Sequence, residues 1–142
     1  MKLLVSACLL GMHCRYDGGG KLCPEILALG EKHQLLPLCP ELMGGLPIPR
    51  PPAEQQGERI VNCRGRDVTE EFRQGAQQVL RLARLWGAEA AVLKERSPSC
   101  GKDEIYDGSF QGRLVPGQGI LARYLREAGL PVYGETEIGR LL

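Results

Sequence analysis

The stretch LLPLCPELM, residues 35–43, runs from a short apolar segment directly into cysteine, proline and glutamate. An apolar run of this length reads as a buried strand, and the proline inside it, Pro37, marks an edge position or a strand end. The same tripeptide stands at residues 23–25, in KLCPEIL. That copy opens a helical pattern. Proline is favoured at the first helical position and an acid in the first turn, so a helix start explains it fully. The copy at residues 39–41 follows a strand, which makes it the candidate for function. Its plainer alternative is again an acid in a helix first turn.

Other elements extend outward from this point. Residues 2–7, KLLVSA, form a buried strand that ends at Cys8. Residues 24–33 read as a short helix with Ile26, Leu29 and His33 near one face, weakened by Gly30. ERIVNCRG, residues 58–65, reads as a small hairpin. Thr69 reads as the cap of a strong helix, with Glu70 and Glu71 in its first turn and Phe72, Ala76, Val79, Ala83 and Trp86 on one stripe up to Gly87. Residues 89–94 form a further strand. Residues 118–128 form a helix with Ile120, Leu121, Tyr124, Leu125 and Ala128 inward, and PVYG, residues 131–134, a last strand. Strands alternating with amphipathic helices predict an α/β fold: a small Rossmann-like three-layer domain, with a short parallel sheet, its first strand central, and helices on both faces.

The chain has 142 residues, 43% of them hydrophobic and 25% charged, which suits one domain over residues 1–142. A net charge of +1 gives no basic surface, so no long nucleic acid is expected as a partner. Arg59, Arg64 and Arg66 interleave with Glu58 and Asp67 as a solvated loop does. The apolar run before Cys8 is too short for an export signal, and no stretch approaches a membrane span. A cytoplasmic location is expected, where clustered cysteines bind metal or react more often than they form disulfides.

In a parallel sheet Cys8, Cys39 and Cys100 follow three different strands and share the carboxyl edge, where open α/β sheets bind ligands. Three converging sulfurs admit three readings: a disulfide with one thiol left over, a zinc site completed by His13, or a cubane iron–sulfur cluster with one iron free of protein ligands. Cys14 fits as a fourth ligand, a thiol behind the ligands or a packed small residue. Cys63 reads as a loop residue.

SACLLGMHCRYDG (6–18), LCPELMGGLPIPRPP (38–52) and LKERSPSCG (93–101) together resemble the thiouracil desulfidases, and the likeness spans nearly the whole chain in order. The resemblance implies an oxygen-sensitive [4Fe-4S] cluster held by Cys8, Cys39 and Cys100, with Cys14 also matching the family pattern. It implies Glu41 and Ser97 as catalytic residues and Asp17 as a further candidate. The expected activity is non-redox removal of sulfur from a small thiolated pyrimidine (thiouracil, thiouridine or its monophosphate), a hydrolase- or lyase-type C–S cleavage that releases sulfide. The glycines of VPGQGI, residues 115–120, are expected to open a helix N-terminus to a phosphate, with Arg15 or Lys102 serving the same charge. The rival readings are a non-catalytic zinc or iron–sulfur binding module, and a thiol enzyme using Cys100, for which histidine is scarce.

Overall fold

Leu3, Leu4 and Val5 are wholly buried in the first strand, with no polar residue among them. That pattern requires cover on both faces of a sheet. The computed structural model describes residues 1–142 and supplies that cover. In chain order the elements are β1 (Lys2–Ser6), α1 (Pro24–Ala28), β2 (Gln34–Leu38), α2 (Pro40–Met43), β3 (Ala53–Gln56), β4 (Arg59–Asn62), α3 (Thr69–Trp86), β5 (Ala90–Leu93), β6 (Glu104–Tyr106), β7 (Leu114–Pro116), α4 (Ile120–Glu127) and β8 (Val132–Gly134). Four strands form one parallel sheet in the order β2-β1-β5-β8. β1 is internal, as expected. β2 lies at the edge, where the missing N–H of Pro37 is tolerated.

Side chains alternate across a strand, so each strand feeds two layers. Leu4, Ala91 and Leu93 face α3 and α4, packing with Phe72, Ala76, Val79, Leu121 and Leu125. Leu3, Val5, Ala90 and Val92 face the opposite layer, with Ile26, Leu29, Ile138 and Leu141. Each fully buried leucine, valine, isoleucine or phenylalanine among them contributes about 1.5–3 kcal/mol of transfer free energy, and each alanine less. The three-layer α/β architecture is therefore present.

Several elements differ from the sequence reading. Helix α1 ends at Ala28 and continues only as a 3-10 turn to Glu31, so His33 leaves the helix; its ring nitrogen Nε2 lies 2.7 Å from the Leu141 carbonyl. Thr69 is the first helical residue rather than the cap, which is Val68. Its hydroxyl accepts the Ile60 N–H at 2.8 Å and so stitches α3 to β4. Ala128 caps α4 where the helix leaves the sheet and is exposed; Ala122 is the buried alanine. Strand β4 pairs upstream with β3 across Gly57, a partner not expected, and also downstream as expected: Val61 bridges Asp67 antiparallel, with Asn62 N–H donating to Arg66 O at 2.9 Å and Val68 N–H to Ile60 O at 2.8 Å. Strand β3 reads AEQQ and carries no apolar alternation to betray it.

Helix α2 lies against α3 through two glycines. A Cβ on Gly75 would stand 1.9 Å from the Pro40 carbonyl oxygen, and one on Gly44 would stand 1.9 Å from that of Glu71. Only bare glycines allow this approach, and it seats the short helix that carries Glu41.

Candidate active site

β1, β2 and β5 run parallel, so their carboxyl ends share one edge of the sheet. Cys8 sits in the 3-10 turn Ala7–Leu10 just after β1, Cys39 follows β2 directly, and Cys100 lies in the loop after β5. All three line one cavity of about 500 Å³, together with Cys14. None of the six cysteines forms a disulfide. Both CPE copies are helix starts, with cysteine as an extended N-cap and proline next. The residue before a proline is pushed towards extended geometry, which accounts for both. Only the copy that ends a strand reaches the cavity; Cys23 is half-buried and does not line it.

Burial pushes the Cys8 thiol up to about 11, and the neighbouring Cys39 adds to the rise. Burial pushes Cys14 to about 12, again with Cys39 and Cys8 contributing. Burial likewise raises Cys100 to about 12, against the lowering effect of hydrogen bonds from Ser6 and Ser99. Such thiols stay protonated at neutral pH until a metal displaces the protons. The one trio of Cys, His, Asp or Glu ligand atoms lying within 4.8 Å of one another is Glu95, Asp103 and Glu137. Every cysteine trio therefore has at least one pair of sulfurs more than 4.8 Å apart, wider than the edge of about 3.8 Å that a single tetrahedral zinc with Zn–S of about 2.3 Å requires. An all-thiol donor set, free of disulfides and gathered on one cavity, fits the thiolate ligation of a polynuclear iron–sulfur cluster. His13 is exposed and lies outside the cavity wall, so it does not complete a zinc site.

Glu41 stands beside these thiols with its two oxygens held separately. Oε1 accepts from Arg50 Nε at 3.0 Å, and Oε2 accepts from the Ser99 hydroxyl at 2.9 Å. The Ser97 and Ser99 hydroxyls are 2.8 Å apart. Ser97 Oγ also stands 3.5 Å from Glu41 Oε2, so both serine hydroxyls face the same carboxylate oxygen. Ser97 Oγ in turn accepts the backbone N–H groups of Ser99 at 3.1 Å and Cys100 at 3.2 Å. A hydroxyl cluster thus joins Ser97 and Ser99 to Glu41 Oε2.

Among the residues read from sequence, Cys8, Cys39, Cys100, Glu41, Ser97 and Arg15 all line the cavity. Asp17 does not. It is exposed, and its carboxylate accepts the Gly19 N–H at 2.9 Å as a turn-former. Lys102 is engaged by Glu137 at 2.7 Å, outside the cavity. The start of α4 is not open to an anion: Ile120 N–H donates to Pro98 O at 3.1 Å and Leu121 N–H to Ser99 O at 2.8 Å. The SPSCG loop consumes those donors. Ser99 and Arg50 were missed in the sequence, although both belong to motifs already singled out there. Arg96 and Phe110, the two non-glycine residues with left-handed backbone (φ 70° and 58°), also line this cavity. Strain of that kind gathers at functional sites.

The family model of 2-thiouracil desulfurase matches residues 3–137. The chain belongs to this family. A solved structure described as the [4Fe-4S]-dependent thiouracil desulfidase TudS is 47% identical, with a TM-score of 0.93 over 99% of this chain and 94% of that one. The uncharacterized protein YbbK of Bacillus subtilis (strain 168) is 40% identical over 150 residues, covering 99% of each chain. The desulfurase fold is thus the one described above, and no helix of the chain is long and apolar enough to cross a membrane.

Proposed function

We propose that this desulfurase removes sulfur from thiolated uracil compounds without net redox change, with Cys8, Cys39 and Cys100 holding a [4Fe-4S] cluster. Three thiols released from three strand ends beside a tethered carboxylate, in one cavity, carry the reading. When bound, the cluster supplies an iron without a protein ligand, a Lewis acid for the thiocarbonyl sulfur. Glu41 takes a proton from water as the water oxygen attacks the thiocarbonyl carbon. The proton on Glu41 passes to sulfur, the tetrahedral carbon collapses to a carbonyl as the C–S bond breaks and hydrosulfide leaves, and Glu41 takes the remaining hydroxyl proton and returns it to solvent. Ser97 and Ser99 steady Oε2 and orient the ring. Cys14 lies outside the trio. It shares the loop of Cys8, and its carbonyl makes the contacts here, accepting Arg50 Nη2 at 3.0 Å and the Cys39 thiol at 3.8 Å.

A cavity of about 500 Å³ has room for more than a free base. Arg15 on its wall is suited to the phosphate of a thiouridine monophosphate; equal efficiency with thiouracil, thiouridine and the monophosphate would remove that assignment. The central test is Glu41→Gln in protein loaded under argon. Iron and acid-labile sulfide stay at wild-type content, while uracil release falls by about 10²–10⁴-fold, the usual worth of a general base. Undiminished turnover takes Glu41 out of the reaction.

A further inference from the structure

Arg50 is among the few buried polar residues, its side chain only 5% exposed, and it has no role in the steps above. A guanidinium cannot shed its charge, so burying one is costly unless every donor is met. Here each side-chain nitrogen has its own acceptor. Nε donates to Glu41 Oε1 at 3.0 Å, Nη1 to Pro47 O at 3.2 Å and Nη2 to Cys14 O at 3.0 Å. The backbone N–H of the same residue donates to Tyr16 O at 2.8 Å. One residue therefore ties the Glu41 carboxylate to the loop between Cys14 and Tyr16.

We propose that Arg50 is a positioning residue for desulfuration: it holds Oε1 of Glu41 so that Oε2, on the serine side, stays aimed into the cavity. The inference rests on Glu41 being the base. A carboxylate alone swings freely about its last torsion, and the serine cluster restrains only one oxygen. Arg50 Nε fixes the other, aimed by the Pro47 and Cys14 carbonyls that hold the guanidinium plane, and a lysine, as a point charge on a flexible stem, reproduces that hold poorly. Loop clasping by itself would make Arg50 a stability element with no connection to Glu41. Acting through Glu41, it can contribute no more to turnover than Glu41 itself does.

The test compares Arg50→Met, Arg50→Lys, Glu41→Gln and the Arg50→Met/Glu41→Gln pair, all loaded under argon, by iron content, melting temperature, kcat and KM with thiouracil. Arg50→Met lowers kcat by about 10²-fold, the effect of misplacing a reacting group by about 1 Å, with iron content unchanged and KM within about threefold. Arg50→Lys recovers part of the loss, to about tenfold below wild type. The paired variant is slower than Glu41→Gln by no more than about threefold, because the two residues act as one unit. It also melts above Arg50→Met, since no charge is left unpaired. A paired variant slower by the full Arg50→Met factor overturns the proposal, as does a tenfold rise in KM at unchanged kcat. If Arg50→Met does not fold, Arg50→Lys and the paired variant, which orphans no charge, decide the matter alone. Wild-type turnover in Glu41→Gln would sink the reading of the base; slow Glu41→Gln beside fast Arg50 variants would sink this proposal only.

Discussion

Replacing Gly75 by alanine introduces one methyl group between α3 and α2, well away from the reacting atoms. Two effects of opposite sign compete. Alanine is the better helix former, and on propensity alone the change stabilises by up to about 1 kcal/mol. The new Cβ, however, would stand 1.9 Å from the Pro40 oxygen and 2.9 Å from its carbonyl carbon. A carbon and an oxygen rest at about 3.4 Å, so α2 must retreat by about 1.5 Å. Both contacts are backbone, which no rotamer change relieves, and such overpacking costs about 1–3 kcal/mol. With backbone contacts this short the cost lies near the upper end, about 2–3 kcal/mol, which leaves about 1–2 kcal/mol after the propensity gain, and the iron-free protein melts about 2–8 °C lower at the 2–4 °C per kcal/mol expected for this size. Pro40 lies between Cys39 and Glu41, so the same displacement moves the proposed ligand thiol and the proposed base together. Turnover falls by about 10²-fold, the penalty of a displacement on this scale. Calorimetry, iron content per chain and thiouracil turnover provide the readout. Gln78→Ala, on the exposed face of the same helix, serves as the control and stays within about 0.5 kcal/mol. A Gly75→Ala protein that melts above wild type and turns over normally would refute the role assigned to the glycine crossing.

Burial holds the Cys100 thiol near 12 against an ordinary 9.0. A thiol raised in this way favours the folded state fully below the unfolded value, and the benefit is lost as pH climbs towards the folded one. Between about pH 7.5 and about pH 10.5 the iron-free wild type therefore loses about 2 kcal/mol more than Cys100→Ala; equal losses in urea titrations would contradict the burial argument. Glu54 Oε1 accepts the N–H groups of Gly108 at 3.0 Å and Phe110 at 3.1 Å, pinning the loop that brings Phe110 to the cavity. Glu54→Ala speeds hydrogen exchange at those two amides by about tenfold or more, since each bond to a charged acceptor is worth about 1.5–3 kcal/mol; unchanged exchange would show that the loop is held elsewhere.

Much of the frame was legible because a few short segments carry unmixed signals. Leu3 to Val5 and Ala90 to Leu93 are apolar throughout, and Phe72, Ala76, Val79 and Ala83 repeat at helical spacing. Alternation of such segments predicts parallel strands, and parallel strands bring Cys8, Cys39 and Cys100 to one edge. The hairpins were harder to read: β6 and β7 have three residues each, too few to show a period. Thr69 misled because a hydroxyl before a helical run usually caps it, whereas here tertiary contact directs it to Ile60. Arg50 and Ser99 could not be ranked from their neighbours, since their importance lies in meeting Glu41 across 9 and 58 positions of chain. Asp17 sits in a suggestive motif, but its carboxylate is spent on its own turn.

The loop bearing Cys100 accepts the first N–H groups of α4, so it cannot shift without fraying a helix whose inner face is core. That side of the cavity is a fixed floor. The 107–112 loop is a looser rim: side chains from β3 hold it, Glu54 through two amides and Gln56 through the Gly108 carbonyl at 2.9 Å. Tolerance for bulk on the incoming molecule is consequently set on the Phe110 side, and changes in that rim alter which molecules enter while leaving the Cys100 end of the cavity undisturbed.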